Sequence, residues 1–328
     1  MKNTKSKFYL FAAALIFIGA AVAVSFTVGK YPILWHKLFV DPAETRIFFT
    51  LRVPRTFMAL IAGFALGISG SVFQTVFQNP LASPDIIGVA SGCSVGAAIS
   101  ILFLGGAAAI TVFSAFIGGV IAVFAAFSLA MASRNRGISS VVLSGIAINA
   151  LAQAILMYLK LNADPEKQLA SIEFWTMGSF ADITASKLLK TLLFIIIGFV
   201  GLCLLQRPLL MLHLNPSDAQ MLGVPVWAVR WTALLLATML TGSVVSMVGL
   251  ISFIGLLAPH IAKLITKSSR FSSTIFSGLV GGLLLLLADI LARSIGKGEI
   301  PVSIITSFLG APCLFILMCQ KGESYEQT

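Results

Sequence analysis

Apolar runs of about 20 residues recur along this chain, each long enough to cross a hydrocarbon layer roughly 30 Å thick as a helix. The first is "FYLFAAALIFIGAAVAVSFTVG", Phe8 to Gly29. Lipid offers the backbone no hydrogen-bond partners, so such runs span as helices or as a closed barrel. They are continuous rather than alternating, which selects helices. Composition agrees. Of 328 residues, 58% are hydrophobic and 10% charged, too little charge to cover a water-soluble domain of this length. The expected fold class is all-α: one polytopic transmembrane domain over residues 1–328, with about ten helices.

After the first helix, spans are predicted at 53–78, 86–105, 107–132, 139–160, 187–206, 230–250, 251–266, 272–293 and 300–320. The stretch 231–265 is too long for one span and short for two, so it divides into a full helix and a short one. Irregular backbone at that depth must be buried in protein or line a cavity. The start "MKNTKSK" is basic, as in a signal peptide, but no persuasive small-residue cleavage site follows, so the first helix reads as retained. Its three lysines place the N-terminus in the cytoplasm. That choice leaves eleven of the 22 basic residues inside and eleven outside, so the outer face carries an excess that needs a reason.

The net charge of +10 does not imply nucleic acid, because the basic residues fall singly between apolar runs. Cys93, Cys203, Cys313 and Cys319 lie in apolar segments without CxxC spacing, and His36, His213 and His260 are far apart. No metal centre and no disulfide frame is expected. A short echo, Ser69–Val72 "SGSV" and Thr241–Val244 "TGSV", reads as chance similarity between Gly/Ser-rich helices.

Four stretches carry candidate chemistry. In "NPSDAQMLG", Asn215 reads as N-cap, Pro216 as the first helical residue, Asp218 as a first-turn acid and Gly223 as a left-handed stop. Ser217, Ala219, Gln220, Met221 and Leu222 complete this short helix, a docking knob or an ordinary interfacial helix on these residues alone. In "LRVPRTFMALIAGFALGISGSVFQTVFQNPLASPDIIGVASG", small residues allow close helix approach. Gln74 and Gln78 read better as interhelical bonding groups than as a gate, while Asn79, Pro80 and Pro84 shape a tight reversal. Arg52 and Arg55 lie at the outer end, able to snorkel or to receive a partner's carboxylates. In "VGLISFIGLLAPHIAKLI", Pro259 frees a backbone carbonyl, and His260 reads as structural rather than as a proton relay. In the fourth, Asp289 and Arg293 are spaced to pair on one helical face, and Gly310-Ala311-Pro312 is expected to break the last helix midway. No GxxxxGK[ST] loop and no catalytic cluster occurs, so the chain is not read as an enzyme.

Taken together and in order, these stretches resemble the FecCD-type permeases, membrane subunits of type II ABC importers for iron–siderophore, haem and cobalamin. The resemblance implies a ten-helix inner-membrane permease with both termini cytoplasmic. It would pair with a second copy or a sister permease, above two ABC ATPase subunits and below an extracytoplasmic substrate-binding protein. ATP and magnesium would sit on the ATPases, and this chain would bind no cofactor. Residues 215–223, within cytoplasmic coupling helices at about 214–230, would fit the ATPase cleft. Arg52, Arg55 and Arg293, with Arg46 a looser match, would receive the binding protein's glutamates and explain the outer positive excess. Ser139, Ser140, Asn149, Gly310 and Pro312 become pathway candidates by position. Iron–siderophore is the favoured cargo, with haem and cobalamin open. The rival reading is an ion-coupled secondary transporter using Asp289 or His260.

Overall fold

A computed structural model describes residues 2–29, 36, 38, 40–85, 87–132, 138–268, 270–295 and 299–325, and their side chains except at 2–8, 138, 139, 216 and 316–325. Among these residues there are helices and no strands. In chain order they are α1 (Lys2–Thr27), α2 (Pro42–Ile47, extended by a π-helical turn to Arg52), α3 (Val53–Val76), α4 (Val89–Phe103), α5 (Ala108–Ala132), α6 (Ile138–Leu161) and α7 (Ala170–Met177). Then follow α8 (Ala185–Leu204), α9 (Gln206–Met211), α10 (Pro216–Met221), α11 (Val226–Val248), α12 (Ile254–Thr266), α13 (Phe271–Ser294) and α14 (Val302–Tyr325). Seven are long and apolar enough to cross a membrane, and α4, α12 and the described part of α14 are shorter apolar helices. Together they make up the ten spans expected.

The centre is α3, packed against α13, α12 and α11. Glycines explain how it fits. A β-carbon at Gly63 would lie 2.2 Å from the Gly281 carbonyl oxygen, one at Gly67 2.2 Å from that of Ser277, and one at Gly70 1.7 Å from that of Gly255. Close backbone approach of this kind is how helices gain van der Waals contact where lipid supplies no hydrophobic drive. Pro259 has a part in it. Lacking an N–H, it cannot bond the carbonyl four residues back, and that carbonyl is Gly255, the one resting on Gly70. A second pair repeats the device, Gly92 and Gly96 of α4 lying against Gly118 and Ser114 of α5. The echoed tetrapeptides turn out to touch: Ser69 and Thr241 hydroxyls are 2.7 Å apart, and Ser69 donates to the Ala237 carbonyl at 2.9 Å.

Gly70→Ala tests this packing. Overfilling a tight contact costs about 1–3 kcal/mol, so the variant should melt lower in detergent than the wild type. Gly19→Ala, where nothing lies within 4 Å of the added carbon, should melt unchanged. Equal melting of the two would refute the glycine account.

The divided stretch 231–265 is a full helix and a short one, joined by residues 249–253. Gly249 (φ 84°) and Phe253 (φ 67°) are left-handed there, and neighbours take up the freed polar groups. Ser179 N–H donates to the Val248 carbonyl at 2.7 Å, and within the joint the Ile254 N–H donates to the Ser252 carbonyl at 2.9 Å. One expectation fails. The helix α14 continues unbroken through Pro312, as α12 does through Pro259, because each proline removes one bond and the flanking turns keep theirs.

Candidate functional site

At one end of the bundle, α9 and α10 fill the link between α8 and α11. Ala219 is 1% exposed and anchors α10 to the core, whereas Met221 is 86% and Leu222 64% exposed. Ser217, Asp218 and Gln220 are also exposed. Gly223 adopts the expected left-handed stop at φ 79°, and the Val224 N–H returns to the Ala219 carbonyl at 3.1 Å. Asn215 precedes the helix, but its side chain makes no backbone cap. Its amide donates instead to the Asp218 carboxylate at 3.3 Å. Pro216 occupies the first helical position, and its side chain lies outside the described residues. Nearby, Asn79 accepts the Leu81 N–H at 2.9 Å, closing the turn at Pro80. The result is an apolar tip on a fixed base. His213, between α9 and α10, is held below its ordinary pKa by burial and then by the Lys263 charge.

The opposite end holds the arginines, and here the structure adds internal bonds that the sequence does not announce. Arg52 and Arg293 are each only 6% exposed. Arg52 donates to the carbonyls of Phe26 (2.8 Å) and Val28 (3.0 Å). Arg293 donates to those of Ser25 (3.1 Å) and Val28 (3.2 Å), and to the Ser25 hydroxyl at 2.5 Å. Carbonyls at a helix C-terminus have no partner within the helix, and these two guanidiniums satisfy the end of α1. Arg55 reaches Asp289 through Nε (3.0 Å) and Nη2 (2.9 Å), and Glu299 through Nη1 at 2.9 Å. Arg293 Nε lies 3.2 Å from the other Asp289 oxygen. Asp289 is completely buried. These three arginines are therefore spent on internal bonds and face inward around a cavity of about 240 Å³. A partner's carboxylates would thus meet guanidiniums already bonded within the chain. Arg46, on α2, is exposed and remains available to a partner.

Asp289 is gripped by two guanidiniums and closed off from the surroundings an open proton carrier needs. His260 is half-buried on α12. Among the described residues no cluster of three or more His, Cys, Asp or Glu is placed to hold a metal.

The pathway candidates lie on α6 and α14. The first packs on α4 and α5, the second on α12, α13 and α7. Both leave apolar faces open, with Leu143, Ile146, Leu151, Phe308, Leu309 and Phe315 exposed. Ser140 and Asn149 are half-buried, and Gly88 backs onto the Asn149 backbone. The Ser139 side chain lies outside the described residues. Gly310 is buried against the Phe253 side chain, and Pro312 is exposed. A cavity of about 430 Å³ between α4, α5 and α6 is lined almost wholly by apolar groups.

Residues 11–320 match the family described as the FecCD transport family. The chain is 35% identical over 324 residues to the molybdate import system permease protein MolB of Haemophilus influenzae, covering 94% of each. It is 34% identical over 275 residues to the ferric enterobactin transport system permease protein FepG of Escherichia coli, covering 83% of this chain and 82% of that one. A metal-chelate type ABC transporter solved in an inward-facing conformation superposes with a TM-score of 0.88 at 31% identity, over 95% of this chain and 99% of that one.

Proposed function

The chain belongs to the FecCD transport family, and from that premise we propose how it works. It is the multi-pass membrane permease subunit of an ABC importer for metal chelates. In our reading both termini and α10 face the cytoplasm. Two ATPase subunits dock on the tips formed by Gln220, Met221 and Leu222 of a permease pair. The arginine end faces outward, where a substrate-binding protein delivers the chelate and Arg46 contributes charge to encounter and register. ATP-driven closure of the ATPases displaces α10, and the pair alternates between outward and inward openings. The pathway runs along α6 and α14 near Ser139, Ser140, Asn149, Gly310 and Pro312.

The observation that carries this reading is the α10 tip: a methionine 86% exposed on a base fixed by Ala219. Leu222 beside it is 64% exposed, and a contiguous exposed apolar patch of this kind marks a protein contact. Iron–siderophore is the cargo we propose, supported by the ferric enterobactin relative. The molybdate relative favours a second reading, an oxyanion cargo. Reconstitution in liposomes with the cognate ATPase and binding protein decides between them. ATP-dependent uptake of a ferric siderophore is the expected result, and uptake of molybdate alone would establish the second reading. Uptake by the permease without the ATPase, driven by a proton gradient, would overturn both.

A further inference from the structure

Two glutamines four residues apart, Gln74 on α3 and Gln78 beyond it, tie different elements together. Gln78, just past the end of α3, is left-handed at φ 46°, a conformation a side chain of this type enters only at a cost. Its amide donates to the carbonyls of Leu212 (2.6 Å) and Leu214 (3.3 Å), in the turn between α9 and α10. These bonds tie the α9–α10 link to the end of α3. Gln74 is 2% exposed and faces α12. It donates to the Leu256 carbonyl at 3.2 Å and accepts from Lys263 Nζ at 3.1 Å. At the far end of α12, Phe253 lies against Gly310 of α14. Bonded contacts thus run from the link through α3 to α12, and packing carries on to the helix of the proposed pathway.

We propose that Gln78 and Gln74 are the positioning pair that transmits displacement of α10 to α12, and through Phe253 to α14. This rests on the reading that ATPase subunits press on α10. The alternative route, the covalent connection through Gly223 and Pro225, reaches α12 only through the whole length of α11 and the joint at residues 249–253. A bifurcated bond from a rigid amide to two carbonyls resists shear between the link and α3, where apolar contact at Leu212 alone would slide.

Gln78→Gly removes the amide while relaxing the left-handed backbone, so the variant folds. Gln74→Met removes the second amide at similar volume. In liposomes holding permease, ATPase and binding protein, both variants should still retain the ATPase through purification and hydrolyse ATP. Uptake of ferric siderophore per ATP hydrolysed should fall about tenfold in each. The double variant should be no worse than either single, because links in series fail once. Unchanged uptake per ATP in Gln78→Gly would overturn the relay. So would loss of ATPase capture, which would leave Gln78 with only the shape of the dock, or multiplying losses in the double variant. Failure of the parent reading shows elsewhere: the wild-type complex would then take up nothing in response to ATP.

Discussion

Asp289→Ala should leave a permease that barely accumulates and unfolds early. The carboxylate is fully buried between Arg55 and Arg293. Removing it leaves two guanidiniums facing each other with no intervening charge, and breaking a buried pair this way costs about 3–5 kcal/mol. The loss spreads because Arg293 also closes the end of α1 and Arg55 also holds Glu299. Asp289→Asn keeps an acceptor and should fall between the two. Melting of purified protein in detergent checks the series. An Asp289→Ala variant as stable as wild type would contradict the network, and a lost proton dependence of uptake would revive ion coupling.

Met221→Asp combined with Gln220→Asp should abolish ATP-driven uptake while leaving the permease folded. Both side chains are exposed, so stability should change by no more than about 0.5 kcal/mol. At an ATPase interface the same change places two desolvated charges where an apolar tip seats, a loss of about 2–4 kcal/mol or more at a central contact. Uptake should drop at least tenfold, and ATPase subunits should no longer co-purify. Normal uptake by this variant would remove α10 as the dock.

Much of the architecture is legible because lipid forces it. Length and continuity of apolar runs give the spans, and Pro216 with Gly223 bounds α10 closely. The stop at Gly223 reads out because a left-handed position favours glycine. The internal bonds of the arginines are not legible in the sequence, for a physical reason. Spacing shows that Asp289 can meet Arg293, but the partner Arg55 is 234 residues away, and nothing local says that α1 ends with bare carbonyls in need of donors. A last turn without a basic residue at Thr27 is the one local hint. The helix α7 escaped notice because its eight residues mix polar and apolar groups without a span's length. Pro312 was read as a break, although a single proline within a long membrane helix need only bend it.

The central claim is that a separate motor enters this bundle through α10, and cross-linking from position 221 tests it most directly. With Met221→Cys in a background lacking the native cysteines, and the full complex in vesicles, the account predicts a cross-link to the ATPase whose yield changes on ATP binding. Labelling of that cysteine by an impermeant reagent from the binding-protein side, with no cross-link to the ATPase, would contradict it.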